Sequence, residues 1–222
     1  MRVKLVGCTQ PTDEFKEEGM GDVQDLISFC ARVSNPSNQM NMETTKKLLN
    51  YLAKHKHWSP FEMASATMEI ETTRDIARQM LRHRSFAFQE FSQRYADPRE
   101  FGDSFVLREA RLQDTKNRQN SIDNVDPRLE GEWRMRQQDV IDKAKEHYNW
   151  AIENGIAKEQ ARAVLPEGNT KSRLYMSGTI RSWIHFIELR SGNGTQKEHI
   201  EVAKACAEAI TKIFPMVNDF VE

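Results

Sequence analysis

The densest chemistry in the chain lies in residues 73–95, TRDIARQMLRHRSFAFQEFSQRY. Arg74, Arg78 and Arg82 are spaced i, i+4 and i+8, which places three guanidinium groups on one face of a helix, while Gln79, Arg82 and His83 share a second face. Arg84, Glu90, Ser92 and Arg94 follow, with Phe86, Phe88 and Phe91 interleaved. A guanidinium is always charged, forks onto phosphate oxygens and stacks on planar rings. The segment therefore suits a ligand that carries both a phosphate and an aromatic heterocycle. The ordinary alternative is a solvated arginine face above a phenylalanine core. Against it, residues 74–94 hold five arginines and only Asp75 and Glu90 as acids, a net of +3. Like charge crowded in this way costs stability unless an anion is bound.

A second cluster spans residues 162–190, RAVLPEGNTKSRLYMSGTIRSWIHFIELR. Arg162 sits before Pro166, Arg181 and His185 are i and i+4 on one helix face, and Arg190 closes the run. Five basic residues oppose Glu167 and Glu188, again a net of +3; since the whole chain sums to −1, the remainder carries −7. Such a balance argues against a general polyanion binder. A nucleic-acid-binding module using the Arg and Phe segment as a stacking platform remains the second reading, with a structural oligomer whose arginines pair between subunits as a third. His55, His57 and His83 lack helical metal-ligand spacing and have no completing carboxylate pair, so no metal is expected. Cys8, Cys30 and Cys206 are odd in number, form no CxxC pattern and lie outside the arginine segment. They point to a reducing compartment and supply no obvious nucleophile. Ser92 lacks an evident base, and an unassisted hydroxyl is a weak nucleophile.

Taken together, these motifs resemble those of the flavin-dependent thymidylate synthases. The resemblance rests on Arg82-His83-Arg84, then seven residues, Ser92, one residue and Arg94. Four further segments follow the family in order: ARVS at 31–34, HKHWSPFE at 55–62, ARAVLP at 161–166, and the run from Arg181 through Arg190 to Gln196 and Glu198. The resemblance implies conversion of dUMP to dTMP, with methylenetetrahydrofolate as carbon donor, reduced FAD as hydride source and NADPH to regenerate it. It implies flavin contacts at His57, Ser59, Arg82, His83, Arg84, Glu90, Thr179, Arg181 and His185. It implies a nucleotide site from Gln79, Met80, Leu81, Arg82, Glu90, Phe91, Ser92, Gln93, Arg94, Arg162 and Arg190, with Arg190 activating the uracil ring as the catalytic residue. It also implies a homotetramer whose active sites are shared between subunits. Ala87 and Gln89 stand where the family often has Ser and Asn, and Thr179 and His185 stand where it often has Asn.

Such residues need a scaffold, and the chain has the material for one. Its 222 residues are 38% hydrophobic and 29% charged, with 11 Phe and 4 Trp, which suits one folded domain over 1–222. The first ten residues lack a signal-peptide pattern and no run approaches the roughly 20 apolar residues of a membrane span, so a cytoplasmic protein is expected. Periodicity predicts helices over 22–32, 42–54, 73–83, 127–154, 158–165, 179–190 and 196–214. Strands are expected over 3–7 and 64–71, with another around 104–108, and residues 114–124 read as a polar, mobile excursion. Helices outnumber strands without regular alternation, so the expected class is α+β, helix-rich, with a small, largely antiparallel sheet.

Overall fold

The computed structural model describes residues 1–102 and 104–219. In chain order the elements are β1 (Arg2–Cys8), α1 (Asp13–Glu17), α2 (Val23–Ala31), α3 (Thr45–Lys54), β2 (Ser65–Thr73), α4 (Arg74–Met80) and β3 (Ala87–Glu90). Then follow β4 (Leu112–Gln113), β5 (Ser121–Ile122), α5 (Pro127–Glu153), α6 (Lys158–Ala161), β6 (Lys171–Thr179), α7 (Ile180–Ser191) and α8 (Lys197–Thr211). Four strands form one antiparallel sheet in the order β1-β2-β6-β3, and β4 and β5 pair as a separate hairpin. The expected α+β class with a small antiparallel sheet is what the chain adopts.

Side-chain alternation fixes which face of the sheet is covered. Ala66, Met68 and Ile70 of β2, with Leu174 and Met176 of β6, are buried under Ile180, Trp183, Ile184 and Ile187 of α7 and Val202, Ala203 and Cys206 of α8. The opposite face is polar and held by cross-strand pairs: Arg173 with Glu71, Tyr175 Oη donating to Glu69 at 2.9 Å, and Thr67 Oγ1 to Ser177 Oγ at 2.8 Å. Trp183 also donates its indole N–H to the Ala66 carbonyl at 3.0 Å, which ties α7 to β2.

Several elements differ from the sequence-based expectation. Strand β6 sits between β2 and β3 yet has no clear apolar period, because its inward positions are Ser172, Leu174, Met176 and Gly178. Helix α4 ends at Met80 rather than near residue 83, and the chain turns through Arg82 N to Gln79 O and His83 N to Met80 O. The strand expected over 104–108 reduces to a single bridge between Phe105 and Thr170. Beside it, Gln137 of α5 takes over the role of a partner strand: its Oε1 accepts from Arg108 N and its Nε2 donates to Arg108 O, both at 2.8 Å. The polar tract 114–124 is structured as the β4–β5 hairpin, closed by the Asp114 carboxylate, which accepts from Lys116 N, Asn117 N and Asn120 Nδ2. Helix α5 has the expected extent but buries only part of its apolar stripe; Ile141, Ala144, Tyr148 and Ala151 are buried, while Trp133, Val140 and Trp150 are exposed.

Candidate active site

The two basic segments meet. Arg190, near the end of α7, donates through Nε to His83 Nε2 at 2.9 Å. His83 lies in the turn after α4, with its ring edge-on to Phe186 at 5.0 Å and 6.4 Å from Phe86. Burial, together with the Arg190 charge, pulls the His83 pKa down to about 4. The imidazole is therefore neutral near pH 7, with its proton on Nδ1 and Nε2 as acceptor. Arg190 is itself held below the usual arginine range by burial and by the charge of Arg82. Its Nε is committed to His83, so its terminal NH₂ groups are left to act on a ligand.

Beside this pair, Gln79 Nε2 donates to Gln196 Oε1 at 2.9 Å, and Gln79 Oε1 lies 3.2 Å from His199 Nδ1. Glu198 closes the group: burial pushes its carboxyl up, but bonds from Arg111 and Gln196 and the Arg108 charge outweigh this and hold it at about 2. His199 carried no recognisable signal in the sequence. A lone histidine in an amphipathic helix reads as ordinary core, and its partner Gln79 is 120 residues away.

A second group forms where β3 leaves the sheet. Arg74 is buried and lies 3.5 Å from Glu90, whose Oε1 also accepts from Ser172 Oγ at 2.7 Å. Phe91 N donates to Arg173 O at 2.8 Å, which anchors the start of the 91–94 loop on β6. Arg74, Arg78, Gln93 and Arg162 line a cleft of about 340 Å³ with Glu159 and Glu167. Gln93 is 3% exposed and its Nε2 has no hydrogen-bond partner among the described residues. An unpartnered buried donor beside three arginines is the chemistry of an anion or carbonyl acceptor site.

The arginine column expected on α4 is resolved into three different environments. Arg74 turns inward to Glu90, Arg78 Nε meets Glu167 at 2.7 Å, and Arg82 lies beyond the helix end and is exposed. Arg94 is offset by Glu159 at 3.8 Å. The local excess of positive charge is thus partly neutralised by acids from residues 159–167, which residue spacing within the helix could not reveal.

A third group lies at the other end of α7. Thr179 Oγ1 accepts from Ser182 N at 3.2 Å and caps the helix, Arg181 Nη1 pairs with Glu62 at 2.5 Å, and His185 packs edge-on to Trp58 at 4.9 Å. Burial, then the Arg181 charge, lowers the His185 pKa. His57, Ser59, Arg84 and Leu81 are exposed, Ser92 is half-buried, and Met80 is fully buried in the core. Among the described residues, no group of three or more His, Cys, Asp or Glu side chains is placed to hold a metal ion.

Comparison with known proteins decides the family. A family model described as "Thymidylate synthase complementing protein" matches residues 18–216. A probable flavin-dependent thymidylate synthase of Paramecium bursaria Chlorella virus 1 is 51% identical over 217 residues, spanning 98% of this chain and 97% of the relative. The chain belongs to the flavin-dependent thymidylate synthase family. The flavin-dependent thymidylate synthase of Synechocystis is 46% identical over the full length of both chains. Among solved structures, a UMP/dUMP methylase, PolB of Streptomyces cacaoi, bound with 5-Br dUMP, superposes with a TM-score of 0.78 at 27% identity and covers 98% of this chain and 93% of that one. Helix α7 carries residues of the first and third groups, Arg190 near its end and Arg181 and His185 nearer its start, and the β6–β3 edge carries the second.

Proposed function

We propose that this protein is a flavin-dependent thymidylate synthase that converts dUMP to dTMP, with FAD as its cofactor, methylenetetrahydrofolate as carbon donor and NADPH as the source of reducing equivalents. The contact of Arg190 with His83 carries the reading, since it joins the arginine-rich segment to the second basic cluster and leaves one guanidinium poised beside a neutral imidazole.

The residues present fit a flavin nucleotide. Exposed Arg82 and Arg84 offer donors to a diphosphate, and exposed Leu81 and Leu189 offer apolar surface to a planar ring. His57, Ser59 and Arg84 are exposed, and Arg181, paired with Glu62, is partly so. Together with exposed Trp133, Val140 and Trp150 on α5, this supports a homotetramer in which a neighbouring subunit completes each flavin site.

When bound and reduced, the flavin supplies the hydride that reaches the pyrimidine. The chain's own task is to hold the nucleotide and stabilise charge on the uracil. Arg162, Ser92, Gln93 and Arg94 surround the phosphate end, and the guanidinium of Arg190 donates to a ring carbonyl where negative charge develops. Arg190 acts as an electrostatic stabiliser and not as a base, because a guanidinium stays protonated. No thiol serves as nucleophile in this scheme: Cys206 is fully buried with its thiol pushed far up by burial, and burial also raises the Cys30 thiol.

All three cysteines are free, which supports a reducing, cytoplasmic setting. Among the described residues no helix is long and apolar enough to cross a membrane. The test is direct: purified protein loaded with FAD should change its flavin spectrum on addition of dUMP, and should form dTMP only when dUMP, methylenetetrahydrofolate and NADPH are all supplied. Protein that takes up no FAD, or that shows no response to dUMP, would refute the assignment.

A further inference from the structure

Glu198 imposes a direction on a chain of hydrogen bonds that ends at His199. A carboxylate only accepts, so Gln196 must turn its NH₂ to Glu198 Oε2, at 2.9 Å, and its carbonyl to Gln79. Gln79 must then donate through Nε2 to Gln196 Oε1, at 2.9 Å, and its own carbonyl faces His199 Nδ1 at 3.2 Å. His199 is therefore the Nδ1–H tautomer. The Glu198 end is fixed in turn by Arg111, whose Nη2 donates at 2.7 Å and 2.8 Å to its two oxygens, and by Arg108 at 3.1 Å. Every amide orientation along the line follows from one charged, acceptor-only group.

Two atoms are left over. Gln79 Nε2 has a second N–H with no protein partner among the described residues, and the side chain is half-buried rather than sealed. His199 is 0% exposed, packs 5.7 Å from the Phe186 ring, and has an unpartnered Nε2. Among the described residues, the one side-chain hydrogen bond of His199 is to Gln79, and that bond offsets the cost of burying its ring.

We propose that His199 is a positioning residue for the nucleotide: by donating from Nδ1 to the Gln79 carbonyl it holds the amide so that the free N–H of Gln79 meets a carbonyl oxygen of the bound pyrimidine. The inference rests on the placement of Gln79 at the nucleotide site. Without the donor at Nδ1 the carbonyl of half-buried Gln79 loses its partner, and the amide swings to find water. The ligand then meets a mobile group, or a carbonyl facing its own carbonyl.

The experiment uses FAD-loaded protein, with dUMP affinity read from the flavin spectrum and KM and kcat from dTMP formation. His199→Asn places its Nδ2 where the imidazole has Nδ1, whereas His199→Gln places its amide nearer the Nε2 position. His199→Asn should bind dUMP within about twofold of the parent, and His199→Leu and His199→Gln should weaken it about tenfold with flavin content unchanged. Gln79→Ala should weaken dUMP by a similar factor, and adding His199→Leu to it should cost nothing further, because both remove one interaction. A His199→Leu protein with a lower Tm but unchanged dUMP affinity would overturn the inference, as would additive losses in the double variant. Unchanged affinity in Gln79→Ala would overturn the placement of Gln79 as well. If His199→Leu does not fold, the comparison of the Asn and Gln variants decides: equal affinities overturn the inference, and a rescue confined to Asn supports it.

Discussion

Arg190 and His83 are 107 residues apart in sequence and share one hydrogen bond, Nε to Nε2 at 2.9 Å. The bond has two effects. It occupies Nε and so leaves the NH₂ groups of the guanidinium for a ligand, and it sets a fixed positive charge beside the imidazole that adds to burial, the larger cause, in keeping the ring neutral. Arg190→Ala is expected to keep flavin binding and lower kcat by about a hundredfold or more, the scale of one well-placed donor to a developing oxyanion. Arg190→Lys retains the charge but not the fork and should recover only part of the loss. Near-parental turnover in the alanine variant, measured as dTMP formation, would remove Arg190 from the chemistry.

Much of the fold could be read from the sequence. The alternation of residues 64–71, the long helix from Pro127 and the amphipathic stretches that became α2, α7 and α8 all carry strong periodic signals. The centre of the sheet could not, because β6 fills its inward positions with Ser172 and Gly178 as well as Leu174 and Met176, so its register is set by tertiary pairing with β2 and β3. The site was legible as two arginine clusters but not as a geometry. Helix spacing put Arg74, Arg78 and Arg82 on one face, yet the helix ends at Met80 and two of the three find carboxylates from elsewhere in the chain. Glu198 and His199 act through partners at Arg111 and Gln79, which no local pattern can disclose.

Folding stability should fall as the solution is acidified well before the carboxylates titrate. His83 and His199 have pKa values of about 4 in the folded protein, against an ordinary value near 6.5. Between those limits the unfolded chain holds protons that the folded chain does not, so stability is complete above about pH 6.5 and is lost as the pH falls towards 4. Fully buried His199 can contribute up to about 1.4 kcal/mol per pH unit in this window; solvent around half-exposed His83 makes its share smaller. Glu198, held at about 2, loses its contribution only below its ordinary value of 4.5. Urea midpoints at pH 7.5, 6.0 and 5.0 should decline in that order, and a flat series would contradict the neutral assignment of the two histidines.

Gln93 is a different kind of test, because its donor is buried without a partner among the described residues. Replacing it with Met keeps the volume and removes the desolvated amide, so Gln93→Met should unfold at the same or a higher temperature. If the amide meets the nucleotide, the same variant should raise the KM for dUMP about tenfold. Unchanged KM would show that the cleft of Arg74, Arg78 and Arg162 serves something other than the substrate.

Gly178 makes room for the ring that supports His83. A Cβ at this position would lie 2.4 Å from Phe86 Cδ1, so any larger residue must displace the ring. Phe86 packs edge-on to Trp183 at 4.8 Å and lies 6.4 Å from His83, so its displacement reaches the Arg190 partner. Gly178→Ala is expected to cost about 1–3 kcal/mol through overpacking, and to blunt the flavin response to dUMP beyond what lost stability explains. Phe86→Leu in the same chain relieves the clash, so the double variant should regain both the melting temperature and part of the spectral response. A Gly178→Ala protein as stable as its parent would mean that the ring moves freely, and that Phe86 does not hold His83 in place.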